Sequence, residues 1–300
     1  MRLHKYAVLL PLFLLGACAT AVPPHAYLPD AARDRISSTD VVLPIRQSEI
    51  YVFVPITTGG AGFGLLGALV DISVDSVRTT KAEKAVKPLR DSMVDYSFDD
   101  TLQTDLKNAL TQLTWAHPGD PRVVKEVTND NMDRVLASSK ADAVLFATTD
   151  YQLSNDCDIL TITVLTGLYP NNDALRSLRK GKKGKFPTAL ENSLYRNVLI
   201  FKARVPGATG DRDHNIAILD ADKGEAARTL LKMGTAKLAA MLVDDIQRHE
   251  NAANATGGTA EIEGTVRIDG VEGQIIGTDE DGEIVRFADG TLKYVTKSAL

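Results

Sequence analysis

The sequence has few of the residues from which metal centres and nucleophilic active sites are built. It contains two cysteines, Cys18 and Cys157, and five scattered histidines in 300 residues. Structural zinc sites use closely spaced pairs of these residues, and neither a CxxC nor an HxxH pair is present in the sequence. The GxSxG elbow of serine hydrolases is missing as well. We therefore expect no catalytic residue, no metal and no cofactor, and we predict that the protein is not an enzyme.

The N-terminus has the pattern of a secretory signal. A short positive region with Arg2 and Lys5 precedes an apolar run over residues 7–15, and the small residues Gly16 and Ala17 follow. Such a run is too short to cross a bilayer as a stable helix. The pattern predicts export from the cytoplasm.

Residues 14–18 read LLGAC, which resembles the lipobox of bacterial lipoproteins. The resemblance implies that residues 1–17 are removed as a signal peptide and that Cys18 is lipidated by diacylglycerol and acyl (palmitate) chains. Several acyl chains on one residue form a durable anchor. Residue 19 is Ala rather than Asp, which by resemblance to Gram-negative sorting implies the periplasmic face of the outer membrane. The alternative is an ordinary cleaved signal followed by an unrelated cysteine.

Composition places the rest of the chain among soluble globular proteins. Hydrophobic residues make up 44% and charged residues 24%, and the net charge of −5 makes general nucleic-acid binding an unlikely function, so we expect no nucleic-acid partner. If Cys18 is lipidated, Cys157 is the only free thiol and no intramolecular disulfide can form. A lone cysteine of this kind is more often buried than reactive.

We divide the chain after the signal peptide into four parts. Residues 18–47 hold four prolines among polar residues and predict a flexible tether behind the lipidated cysteine. Residues 48–250 predict an α/β domain, and the Asn/Ala/Gly-rich residues 251–260 predict a linker. Residues 261–300 predict a small β module.

The predicted fold class is α/β (α+β), with helices packed on one mixed sheet. Ser97 is expected to cap a helix with an apolar stripe, and residues 195–205 alternate as a half-exposed strand does. Residues 216–219 predict a short strand, and Asp222 is expected to cap a long helix after it. In the tail, Asp-Gly pairs at 269, 281 and 289 separate four short apolar runs. Asp-Gly is a strong hairpin signal, so we predict a four-stranded meander curled into an SH3-like barrel.

An uncharged segment, residues 57–70, carries small residues every fourth position from Gly60 to Ala68. One interpretation is a tightly packed helix or glycine loop against the core. The other is an element that touches the membrane or forms oligomers. Both stay open at this point.

The strongest charge feature is basic, residues 176–185 (RSLRKGKKGK), with these candidate residues for contact with an anionic surface: Arg179, Lys180, Lys182, Lys183 and Lys185. One interpretation is a solvated loop without a partner. The other is contact with lipid head groups, lipopolysaccharide or an acidic protein.

Acidic residues give weaker signals. Asp211 begins a run that resembles the start of a calcium loop, but Ile216 stands where that loop needs glycine, which favours a polar turn. Asp244 and Asp245 are attributed to a solvated helix face.

The order of elements also carries a resemblance. Residues 97–169 read as a capped helix, a strand RVVKEV, a short helix NMDRVL and the run ADAVLFATTDYQLS before an apolar strand. This order is similar to the α/β domain of curli-secretion lipoproteins and of lipoprotein activators of penicillin-binding proteins. The resemblance transfers no functional residue. We predict an adaptor or accessory lipoprotein for an envelope protein or the cell wall. The alternative is an oligomeric secretion pore, as the curli resemblance implies.

Overall fold

A computed structural model describes residues 25–53, 80–179, 183–248 and 264–300. Several predicted features lie outside these ranges: the signal peptide, Cys18, the segment 57–70, Lys180, Lys182 and the linker 251–260.

Ten strands form one mixed sheet with the order β3-β1-β4-β5-β6-β10-β9-β8-β7, and β2 also pairs with β4. The strands are β1 Thr39–Pro44, β2 Tyr51–Val52, β3 Arg122–Val124, β4 Ala143–Leu153, β5 Ile159–Pro170, β6 Tyr195–Arg204, β7 Gly264–Ile268, β8 Val271–Thr278, β9 Gly282–Phe287 and β10 Leu292–Thr296. β1 pairs in parallel with β3 and with β4, β2 pairs in parallel with β4, and β6 pairs in parallel with β10. The other strand pairs are antiparallel. This architecture confirms the predicted class.

Helices cover both faces of the sheet. They are α1 Asp30–Arg33, α2 Thr80–Ser92, α3 Phe98–Leu110, α4 Asn129–Ser138, α5 Asp173–Arg176 and α6 Arg212–Gln247. The longest, α6, packs on β5 and β6, and α2 and α3 pack on α6. Gly234 brings α6 close to the sheet, since a Cβ there would stand 2.7 Å from Phe201 Cδ1. On the opposite face, α4 packs Met132 and Leu136 against strands β1, β4 and β5.

The predicted tether is wrong for residues 25–47. Ala26 pairs with Arg196 of β6, and β1 lies inside the sheet between β3 and β4. Val41, Val42 and Leu43 are fully buried. A strand that is covered on both faces has apolar residues at consecutive positions rather than at alternating ones. The apolar run of β1 is short and lies among prolines and polar residues, so the sequence did not indicate a strand.

The prediction for residues 211–224 is also corrected. Residues 216–219 belong to α6 rather than to a strand, and the helix begins after Asp211, whose carboxylate accepts a hydrogen bond from the backbone of Asp213. Asp222 is not a cap. It lies in a kink at 221–224, where its φ is 52°. Four apolar positions are too few to separate a buried strand from a helix by periodicity.

The predicted C-terminal meander is confirmed, with β7 to β10 paired in succession. These strands share a small apolar cluster of their own that includes Ile268, Val285 and Val295. Among the described strands, β7 and β10 do not pair, so the predicted closure into an SH3-like barrel is not seen. They also extend the main sheet, because β10 pairs with β6, and β7 forms the far edge of that sheet. The Tyr294 ring stacks on Phe201 of β6 with ring centroids 5.8 Å apart.

The long central strands define two ends of the sheet. We call the end at Ala143, Pro170 and Tyr195 the proximal end, because the described chain enters there through Ala26. The opposite end, at Leu153 and Ile159, is the distal end. With 11 residues in β4, the two ends are about 35 Å apart.

Candidate anion-binding cleft

The basic segment of the sequence forms one wall of a cleft at the proximal end. Its first part is the short helix α5, which begins where the Asn172 side chain accepts a hydrogen bond of 2.8 Å from the backbone of Leu175. Leu175 is fully buried and fixes this turn to the protein body. The arrangement leaves Arg176 and Asp173 on the outside, where they form an ion pair of 2.9 Å.

A buried amide organises the second part of this wall. The Asn192 side-chain oxygen accepts hydrogen bonds from Arg179 Nη1 at 2.6 Å and from the Gly184 backbone at 3.1 Å. Its nitrogen donates to the Phe186 carbonyl at 2.6 Å. Asn192 therefore holds both sides of the basic loop, and Arg179 is tied down rather than free on the surface.

A second tether fixes the loop to α4. The Thr188 backbone and hydroxyl both donate to Asp133 Oδ1, at 2.9 and 2.7 Å. The described part of the basic loop is thus pinned on two flanks. Lys183 and Lys185 between these points are exposed.

The cleft has a volume of about 620 Å³. Four cationic side chains and one carboxylate line it, together with apolar and amide groups: Arg176, Arg179, Lys183, Lys185, Asp173, Leu136, Pro170, Pro187 and Asn192. The Lys185 ammonium also lies 5.1 Å from the centre of the Phe186 ring. Of the five candidate residues, the structure brings Arg179, Lys183 and Lys185 together, and it adds Arg176. Such a lining suits a phosphate or carboxylate group.

The N-terminal segment lies directly beside this cleft. Arg35 Nη1 donates to the Ala174 carbonyl in α5 at 3.2 Å. Asp142 joins the same two parts, because it accepts from the Ser37 backbone and from the Asn172 amide, each at 2.9 Å. The Ser37 bonds, assisted by Asn172, lower the pKa of Asp142. The described chain thus enters the fold against the wall that carries Arg176.

Cys157 is a buried structural residue, in agreement with its predicted character. Burial raises the pKa of its thiol to about 11, so the nucleophilic thiolate is scarce at neutral pH. The adjacent acids Asp156 and Asp158 raise the pKa further, against the opposing effect of Arg212.

Within the described ranges, no three His, Cys, Asp or Glu side chains gather in a way that could hold a metal ion. Asp211, where a calcium loop was considered, is a helix cap. No helix in the same ranges has the length and apolar character of a membrane span.

One charged cluster was missed by sequence reasoning. Asp245 is buried, contrary to the solvated position expected for it. Its carboxylate accepts hydrogen bonds from Tyr195 at 3.0 Å, from Asn197 at 2.7 Å and from Arg286 at 3.0 Å. His25 Nε2 lies 3.6 Å away, too far for a good hydrogen bond.

The partners decide the protonation of Asp245. Burial would raise its pKa, but His25, Arg286 and Asn197 outweigh that effect and lower it. Burial and the nearby carboxylate raise the pKa of Tyr195 well above its usual value. The sequence gives one signal that Asp245 is buried, because it falls between Leu242 and Ile246 of the predicted apolar stripe.

Comparison with known proteins gives only remote structural similarity. No protein-family model and no curated protein matches the chain. A PelC dodecamer from Paraburkholderia phytofirmans is 10% identical, with 75% of this chain and 96% of that chain covered and a TM-score of 0.27. A variant of that PelC, also a dodecamer, is 12% identical, with 73% and 96% covered and a TM-score of 0.25. TM-scores this low do not establish a shared fold, and no function follows from them.

Proposed function

We propose that this protein is a non-catalytic lipoprotein of the outer membrane, held at the periplasmic face by lipid on Cys18. In this proposal it acts as an adaptor that binds an anionic group of another envelope component. The observation that carries the proposal is the basic cleft. Four cations line one open cleft in a chain of net charge −5, and a concentrated patch of this kind favours an anionic partner.

The surroundings of the nucleophilic and titratable groups support a binding role. Cys157 is buried with a raised pKa, and the Asp245 carboxylate is saturated by neighbouring donors. The cleft itself offers cations and an amide rather than a base beside a nucleophile. Such groups bind and orient an anion without reacting with it.

The lipid attachment is tested by metabolic labelling with an alkyne analogue of palmitate. The wild-type protein should incorporate label, and Cys18→Ser should not, whereas Cys157→Ser should label normally. Label retained in Cys18→Ser would show that the lipobox interpretation is wrong.

The binding role is tested by photo-crosslinking in cells. A photoreactive amino acid replaces Pro187, which lines the cleft, or Val94, which is 86% exposed and lies beside Ile50 and Tyr151 near the distal end. We expect an adduct with an envelope component from position 187 that Lys183→Gln with Lys185→Gln weakens, and no such adduct from position 94. Equal adducts from both positions, or none, would remove the adaptor proposal.

The oligomeric pore stays an alternative prediction. It is tested by size exclusion with light scattering on the detergent-solubilised, lipidated protein. A large ring of defined mass would favour the pore, and a monomer or dimer would favour the adaptor.

A further inference from the structure

We infer that the proximal end of the sheet lies against the membrane that holds the Cys18 lipid, where the basic cleft binds the phosphate groups of anionic lipid head groups. This inference rests on the proposed function, because it requires lipid at Cys18. It goes further by naming the anionic component and by giving the molecule an orientation.

The chain between Cys18 and the described fold is short. Seven residues, 18–24, separate the lipidated position from the start of the described fold at His25. Even fully extended they span at most about 25 Å. That reach is shorter than the sheet, which is about 35 Å from end to end. The proximal end is therefore the part of the sheet nearest the lipid.

The entering chain is hydrogen-bonded to the sheet and to the wall of the cleft. Ala26 is hydrogen-bonded to Arg196 in both directions, at 2.9 and 3.1 Å. Arg35 and Ser37 then connect the entering chain to α5 and to the loop before it, through Ala174 and Asp142. The segment that leads from the lipid and the wall of the cleft thus form one packed unit, so the anchor places the cleft as well as the N-terminus.

The cleft and the loops at the distal end also differ in charge. The proximal cleft is lined by four cations and one carboxylate. At the distal end, the two neighbouring loops carry the reverse ratio, with Asp156, Asp158, Asp211 and Asp213 around Arg212. An anionic membrane attracts the cleft and repels these two distal loops. Each Lys or Arg near such a surface strengthens binding about fivefold.

The test uses the mature chain, residues 18–300, with Cys18→Ser so that binding does not depend on lipid. Sedimentation with vesicles of phosphatidylglycerol and phosphatidylethanolamine is compared with vesicles of phosphatidylcholine alone. We expect binding to the anionic vesicles that weakens with added salt. The pair Lys183→Gln and Lys185→Gln should lower the partition coefficient about 25-fold.

The matched control is Lys84→Gln with Lys232→Gln, which removes the same charge from two exposed lysines on α2 and α6. It should change the partition coefficient by less than about twofold, since these lysines lie outside the cleft. Thermal melting of each variant verifies that it is folded. An equal loss in both pairs, or no binding by the unsubstituted chain, would overturn the inference.

Orientation is measured on the lipidated full chain. A fluorophore is attached at Pro187→Cys or at Val94→Cys, since the native Cys157 is buried. Quencher-bearing lipids should reduce the emission at position 187 strongly and that at position 94 little. Equal quenching at both positions would show that the molecule does not stand on its proximal end.

Two further outcomes separate this inference from the proposed function. A protein adduct from position 187 without vesicle binding would overturn the lipid inference and leave the adaptor proposal standing. Saturable binding of inorganic phosphate alone, lost with Lys183→Gln and Lys185→Gln, would replace the membrane by a soluble phosphate ligand.

Discussion

The Asp245 network and the basic cleft lie near the same end of the sheet, and they handle charge in opposite ways. Asp245 is buried, and Tyr195, Asn197 and Arg286 donate to it. In the cleft, Lys183 and Lys185 are exposed and share their surroundings with other cations.

The difference separates a structural charge from one that is available for binding. A buried carboxylate persists only when donors replace its water, and removing one partner leaves the others unsatisfied. Exposed lysines remain hydrated and add little to stability, so their clustering is better explained by a partner. Four experiments follow, three on this contrast and one on the packing of the N-terminal segment beside it.

The largest effect is expected for Asp245→Ala. It leaves the Arg286 guanidinium and two buried donors without their acceptor, which should lower the free energy of unfolding by about 3–5 kcal/mol. Urea denaturation measures the loss. Asp244→Ala, at the exposed neighbouring position, should cost less than about 0.5 kcal/mol. Similar losses for both substitutions would show that the network contributes no special stability.

A smaller loss of unfolding free energy is expected for Gly290→Ala, in the turn between β9 and β10 that packs against His25. Gly290 has φ of 89°, and a Cβ there would stand 2.9 Å from His25 Nδ1 and closer still to His25 Cβ and Cγ. We expect a cost of about 1–3 kcal/mol by denaturation. Gly270→Ala is the control, because its φ is 82° but its Cβ would meet open space. The difference in unfolding free energy between the two variants measures the packing of the N-terminal segment against Gly290. Equal losses would show that backbone strain alone accounts for the effect.

The pH dependence should show a still smaller effect. Because the pKa of Asp245 is lower in the fold than in the unfolded chain, its stabilisation is complete above about pH 4 and is lost as pH falls through the folded value. Asp245→Asn removes this titration. The unfolding free energy of the wild type should therefore fall more steeply below pH 4 than that of the variant. Parallel curves in urea titrations between pH 5 and pH 2 would contradict the assigned direction.

The smallest effect on stability is expected in the cleft. Lys183→Gln with Lys185→Gln should change the free energy of unfolding by less than about 0.5 kcal/mol, because both ammonium groups are exposed. The same pair should weaken vesicle binding strongly, as described above. A loss of several kcal/mol of unfolding free energy would show that these lysines stabilise the fold, as Asp245 does.

Local signals predicted several elements correctly. Ser97 caps α3 by accepting from the Asp100 backbone at 3.2 Å, as its position before an apolar stripe indicates. Asp269 and Gly270 both have positive φ, which is what a tight hairpin requires. These features depend on residues close in sequence, and a pattern of a few positions is enough to read them.

Features that depend on distant residues were not predictable in this way. β1 is recognised as a strand only once β3 and β4 enclose it, and the prolines nearby pointed to a tether. Asp245 receives its partners from β6 and β9, so its helix position alone gave a solvated side chain.

The cleft lies between these cases. Its cations were evident from the sequence, with Arg179, Lys183 and Lys185 among the candidates. Its shape was not, because Asn192 and Asp133 pin the loop through hydrogen bonds that no local pattern encodes.

The parallel pairing of β6 with β10 has a consequence for how the chain acquires its structure. Leu199 is opposite Leu292, so β6 gains its second neighbour only when β10 is present. β1 likewise pairs with β4, in which Ala143 is opposite Thr39 although about a hundred residues separate them in sequence. Contacts so far apart in sequence slow folding, because a long loop must close before they form. Truncation within β10 would leave β6 as an open edge that is ready to pair with another chain.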